Sequence, residues 1–144
     1  MSEKIVVGTD GSDTAKRAVT EAVRIAKGLG AELHVVAGSK SWRDARIVGA
    51  PEGARQVYGS MHDAIPGAII DEAVAQARAA GVTGEGHVVD RDGADALLAI
   101  ADQVDANMIV VGSKGMTGGR RLLGSVPNQV SHEAHCNVLI VHTK

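Results

Sequence analysis

The chain predicts an α/β fold: an open five-stranded parallel sheet with helices on both faces. Three observations carry the prediction. Short runs rich in Val, Ile and Leu recur along the sequence, as expected of strands buried on both sides. Between them lie stretches whose apolar residues repeat at helical spacing. Strands that alternate with helices in this way imply right-handed crossovers, hence strands running parallel.

Each element can be justified in turn. Ile5 to Gly8 form the first apolar run and end in Thr9-Asp10-Gly11-Ser12. Ala15, Ala18, Val19, Ala22, Val23, Ala26 and Leu29 then repeat on one helical face. Ser12 is placed to cap this helix, Asp13 suits the positive end of its dipole, and Gly28 and Gly30 mark its end. Leu33 to Ala37 are the second run. Ile69, Ala73, Ala77 and Ala80 predict a helix that stops at Gly81, and His87 to Val89 predict a third strand. Leu97, Leu98, Ala101 and Val104 mark another helix, with Asp92 or Gly93 near its start. Met108 to Val111 read as the fourth strand, Val126, Val130 and Ala134 as the last helix, and Val138 to Val141 as the last strand. Ser125 is the expected N-cap of that helix, with Pro127 in its first turn, where a missing donor does no harm. The reading thus contains five strands and four helices.

Length and composition narrow the classes of function. At 144 residues the chain, residues 1–144, makes one domain, of a size that buries roughly 70% of its unfolded surface. Residues 38–59 interrupt it with a connection too long for an ordinary turn, holding Pro51 and both large aromatics, Trp42 and Tyr58. Such a segment is expected to be a flexible insertion or a lid. One cysteine, Cys136, can form no internal disulfide, and no targeting segment or long apolar span is evident, so a reducing, cytoplasmic setting is expected, with no membrane partner. Cys136, beside the last apolar run, reads as a small half-buried thiol. A formal net charge of −2 offers no basic field for a nucleic-acid backbone. The absence of Phe removes stacking platforms for bases, so no nucleic-acid partner is expected and the core must be aliphatic.

Ligands of open parallel sheets bind beyond the carboxyl ends of the strands, where the winding reverses. Asp10 and Gly112 both stand at such ends. Gly112-Ser113-Lys114-Gly115 and Gly124-Ser125 form a glycine-studded link from strand to helix. Glycines let a backbone approach an anion, and the free N–H groups of a helix start donate to it, which points to phosphate. Lys114, Arg120 and Arg121 can neutralise the charge. A turn with nothing bound is the plainer alternative. Asp10 can hold a ribose hydroxyl or a phosphate-bound metal ion, or simply cap the following helix. The Gly-x-x-x-x-Gly-Lys-Ser/Thr loop and the Gly-x-Ser-x-Gly elbow are absent, and no catalytic residue stands out. His132 and His135 have helical spacing, but no Cys or carboxylate cluster completes a metal site around them, so surface or packing roles are expected for the histidines.

Val6-Val7-Gly8-Thr9-Asp10-Gly11-Ser12, Val110-Val111-Gly112-Ser113-Lys114-Gly115, Leu123-Gly124-Ser125-Val126 and Val138-Leu139-Ile140-Val141 together resemble the universal stress protein family over the entire chain. That resemblance implies a Rossmann-like sheet of the adenine nucleotide alpha hydrolase type and, in the nucleotide-binding branch, ATP or another adenine nucleotide, AMP or cyclic AMP, held across the strand ends. By position, Gly8, Thr9 and Asp10 would lie beside the ribose and the phosphates, Asp10 with Mg2+ or Mn2+. Val35 would face the adenine. Val111, Gly112, Lys114, Gly115, Gly124, Ser125 and Val126 would form the phosphate cradle. The family pairs through its last strand, here Val138 to Val141, which implies a homodimer. In one respect the chain departs from the family pattern of nine residues between the second and third glycines of this loop: Met116 to Leu123 are eight. Gly118 and Gly119 can absorb the contraction. The implied function is a dimeric, cytosolic nucleotide sensor or regulator of a stress response, whose protein partner the sequence does not name. The rivals are a slow ATPase and a dimeric interaction module that binds no nucleotide.

Overall fold

Each predicted apolar run becomes a strand in the computed structural model, which describes residues 3–40, 64–113 and 124–143. In chain order the elements are β1 (Lys4–Gly8), α1 (Asp13–Leu29), β2 (Glu32–Gly38), α2 (Ala64–Ala79), β3 (Gly84–Val89), α3 (Gly93–Val104), β4 (Met108–Gly112), α4 (Ser125–Glu133) and β5 (Asn137–Val141). The five strands are all parallel, in the order β3-β2-β1-β4-β5.

Alternation along the strands splits the aliphatic core in two. Ile5, Val7, Leu33, Val35, Ala37 and Val110 turn to the face covered by α1 and α2. Val6, Val36, Ile109 and Val111 turn to the face covered by α3 and α4. Ile5, Leu33 and Ile109 are wholly buried, each worth about 1.5–3 kcal/mol relative to exposure. The helices meet the sheet largely through alanines, Ala18, Ala22 and Ala26 on α1 and Ala94, Ala96 and Ala101 on α3. Small residues on the helices and β-branched ones on the sheet fill the core without any Phe.

Local signals set the ends of α1. Ser12 is extended (φ −68°, ψ 162°) and its Oγ accepts from the Ala15 N–H at 3.2 Å. Gly30 closes the helix in the left-handed region, φ 66°, which costs glycine little. Strand β3 starts three residues earlier than the apolar run suggests, at Gly84. Its first half is glycine-rich because α2 lies close over it: a Cβ on Gly84 would sit 3.3 Å from that of Ala77, and one on Gly86 would collide with Ile70. The predicted cap of α4 also needs correction. Gly124 is the N-cap, extended at φ −62° and ψ 163°, and Ser125 is the first helical residue. A residue inside the helix has the wrong backbone angles to turn its hydroxyl onto the next N–H groups. Pro127 lies in the first turn as expected. The long connection begins with Gly38, the last residue of β2, and most of it falls outside the described residues.

Candidate functional site

At the middle of the sheet the chain leaves β1 towards one face, through α1, and leaves β4 towards the other, through α4. The two exits diverge, and between them opens a cleft of about 280 Å³. This is the topological switch point, where strand order alone predicts a ligand. Gly8, Thr9 and Asp10 form its β1 side, and Val111 and Gly112 its β4 side. Val36 and Gly38 of β2 extend the floor, while Ser12, Thr14, Gly93, Leu97, Val126 and Pro127 bring the starts of α1, α3 and α4 to the rim.

The β1–α1 turn is tied by its own side chains. Thr9 donates its N–H to the Val36 carbonyl at 3.0 Å, which locks the turn to β2. Thr9 Oγ1 accepts from the Gly11 N–H at 3.2 Å, and Asp10 Oδ1 accepts from the Ser12 N–H at 2.9 Å. Gly11 takes φ 81°, a conformation that side chains resist. At Gly8 a Cβ would approach Leu97 Cδ1 to 2.8 Å, so any side chain there requires Leu97 to shift. A side chain at Gly38 would meet the Arg91 carbonyl oxygen at 2.5 Å. Both glycines therefore let α3 and its entry segment close over the cleft.

The β4–α4 side is built differently. Ser113, buried, donates its N–H to the Val141 carbonyl at 2.9 Å, and its Oγ accepts from the Thr143 N–H at 3.0 Å. These bonds pin the chain as it leaves β4. At the far side, α4 starts without a side-chain cap, so its first N–H groups and its dipole face the rim of the cleft beside Val126. Among the described residues the nearest atom to a Cβ on Gly112 would be Thr143 Cγ2, at 3.4 Å.

Of the residues expected in the site, Gly8, Thr9, Asp10, Val111, Gly112 and Val126 converge on this cleft. Gly124 and Ser125 stand at the start of α4 next to it. Val35 does not reach it. Its side chain is fully buried in the α1/α2 core, and its neighbour Val36, in register with Gly8, takes the cleft side. A one-residue step along a strand reverses the face, and in His34-Val35-Val36-Ala37 the two valines give no sign of which is which. Lys114, Gly115, Arg120 and Arg121 lie outside the described residues. Gly38, Gly93 and Leu97 were not anticipated; the signal for Gly38 was a glycine ending a strand, which often marks a close backbone approach.

Cys136 is half-buried, and desolvation, reinforced by the Asp102 carboxylate, pushes its thiol up, which fits an unreactive role. His132 and His135 are exposed, and His135 Nδ1 lies 3.2 Å from an Asp102 carboxylate oxygen. Among the described residues no helix is long and apolar enough to cross a membrane.

Comparisons with known proteins agree on one family. The model of the universal stress protein family matches residues 1–142. Universal stress protein Rv1636 of Mycobacterium tuberculosis is 38% identical over 150 aligned positions, covering 96% of this chain and 95% of the relative. A universal stress protein solved in complex with cAMP is 36% identical, with a TM-score of 0.74 over 99% of this chain and 98% of the other. The universal stress protein from Archaeoglobus fulgidus in complex with dAMP is 26% identical, with a TM-score of 0.65 over 96% of both chains.

Proposed function

The chain belongs to the universal stress protein family, and from that premise we propose that it binds an adenine nucleotide in the switch-point cleft. With that ligand the chain would act as a dimeric, cytosolic sensor or regulator with little or no turnover. The observation that carries this reading is the convergence of Gly8-Thr9-Asp10, Val111-Gly112 and the uncapped start of α4 on one cleft. Val36, Leu97, Val111 and Val126 give the cleft apolar walls suited to a base, while Thr9, Asp10, Ser12 and Thr14 supply hydroxyls and a carboxylate suited to ribose and phosphate. The nucleotide complexes of the two solved relatives support the same ligand class.

A metal ion accompanying a triphosphate fits the chemistry of this donor set. Asp10 would supply one carboxylate oxygen to Mg2+ or Mn2+, with phosphate oxygens and water completing the shell, as hard cations prefer. The residues themselves bind and orient. Nothing beside Asp10 in the described wall offers a base to activate water. Dimerisation rests on β5, an edge strand whose Ile140 is exposed; such an edge invites a twofold mate.

Native mass spectrometry of the purified protein reads both points at once, as a dimer mass carrying one adenine nucleotide per chain. In a melting assay, ligand at a hundred times its dissociation constant adds about 2.7 kcal/mol, which raises the midpoint by roughly 5–10 °C. ATP with Mg2+, AMP and cyclic AMP should be compared, with GTP as the control. No shift with any adenine nucleotide at millimolar concentration overturns the reading.

A further inference from the structure

Strands β2 and β3 each carry a Glu-x-His triplet, Glu32-Leu33-His34 and Glu85-Gly86-His87. Residues two apart on a strand share a face. The parallel register sets His34 opposite Glu85 and Val36 opposite His87, so both histidines and Glu85 leave the sheet on the α3 side, near its β3 edge. There His34 Nδ1 lies 3.0 Å from His87 Nε2 and 3.8 Å from Glu85 Oε2. On the other side of the ring, His34 Nε2 is 2.8 Å from Glu32 Oε1. A carboxylate only accepts, so Nε2 carries a proton towards Glu32, and Nδ1 is the nitrogen that faces His87 and Glu85.

We propose that His34 Nδ1, His87 Nε2 and a carboxylate oxygen of Glu85 form a binding site for a divalent first-row transition cation such as Zn2+, with Glu32 as the carboxylate that orients His34. The three ligand atoms lie within 4.8 Å of one another. Tetrahedral ligands on bonds of about 2.05 Å stand about 3.3 Å apart. The two nitrogens are close to that separation already. Glu85, with 61% of its side chain exposed, is free to turn inward by the remaining distance. In the metal-free protein one proton between the two imidazoles fills the gap, and the cation replaces it. Two imidazoles disfavour Mg2+ and Ca2+ and favour Zn2+, Co2+, Ni2+ or Cu2+, so this site is chemically distinct from any phosphate-bound ion beside Asp10. The Glu32–His34 bond is the outer carboxylate that metal-binding histidines commonly have. A fourth position, on the open side of the edge strand, is left for water.

The test uses untagged, chelator-treated, nucleotide-free protein titrated with Zn2+ by calorimetry and with Co2+ by visible absorption. One equivalent per chain should bind, with tetrahedral-type Co2+ bands. His87→Ala and Glu85→Gln should each weaken binding about tenfold or more, and Glu32→Gln about tenfold, the range seen for outer-shell partners. His135→Ala should leave affinity unchanged. Glu85 is exposed and His87 only half-buried, so these variants should keep the wild-type circular dichroism; if His87→Ala unfolds, Glu85→Gln decides alone. Absence of stoichiometric binding, or wild-type affinity in Glu85→Gln, overturns the site.

Discussion

Two helix starts face the same cleft, and they are finished in opposite ways. At α1 the turn closes on itself: Thr9, Asp10 and Ser12 each accept a backbone N–H from within the turn, at 2.9 to 3.2 Å. At α4 the cap is Gly124, which has no side chain to give, and among the described residues no side-chain cap bond is made. The first arrangement is stable without a ligand. Among the described residues, the second has no side chain to meet its first donors and positive dipole end, at the rim of a cleft where water or an anion can meet them. On the proposed reading, the start of α1 is a scaffold and the start of α4 a receptor. Gly124 is also not a glycine for the sake of its backbone angles, because φ −62° is open to any residue. On the proposed reading, what it provides is the absence of a side chain where an anion approaches.

The largest expected effect comes from making the second helix start resemble the first. In Gly124→Asp the new carboxylate caps α4 and complements its dipole, so the ligand-free protein should gain about 0.5–1 kcal/mol. The same group occupies the donors and repels phosphate. Adenine-nucleotide affinity should therefore fall about a hundredfold, roughly 2.7 kcal/mol. Melting without ligand and titration calorimetry should thus move in opposite senses. A variant that binds nucleotide like the wild type would show that the start of α4 is no receptor.

The contrast also explains what could be read from the sequence. Ser12 and Gly30 end α1 through chemistry that lives in a few neighbouring residues, and both were legible. So were the strands, because a sheet covered on both faces writes itself as continuous apolar runs. The same continuity hid the side of the sheet on which each residue falls. Val35 and Val36 look alike in sequence, yet one fills the core and the other lines the cleft. Register between strands is equally silent. His34 and His87 stand 53 residues apart and meet at 3.0 Å only because β2 and β3 pair with His34 opposite Glu85; the repeated Glu-x-His was the one available hint. Gly124 and Ser125 were exchanged as cap and first helical residue because both types favour helix starts and only backbone angles separate them.

A sharper question concerns Asp10, which belongs to the scaffold through Oδ1 but carries charge into the cleft. Asp10→Asn keeps an oxygen to accept from the Ser12 N–H while removing the charge and replacing the second oxygen by an NH2 donor, so the Asp10–Ser12 bond of the turn should survive. If Asp10 holds a phosphate-bound cation, affinity for ATP with Mg2+ should fall about tenfold while cyclic AMP changes by less than about threefold. Equal losses for both ligands would assign the carboxylate to the ribose, which they share. Unchanged affinity for both would leave Asp10 wholly on the scaffold side.

The smallest effect on binding should come from the purely structural member of the pair. Ser12→Ala deletes the acceptor for the Ala15 N–H and should cost about 1 kcal/mol, lowering the midpoint by about 3–5 °C for a domain of this size. Ser12 borders the cleft, but its oxygen is engaged with Ala15 and lies 3.1 Å from Thr14 Oγ1, so it has little left to offer a ligand. Nucleotide affinity, measured well below the shifted midpoint, should stay within about threefold of wild type. A melting loss with binding intact places Ser12 on the scaffold. The reverse outcome, intact melting and about a tenfold loss of affinity, would make the start of α1 a second receptor and dissolve the distinction between the two loops.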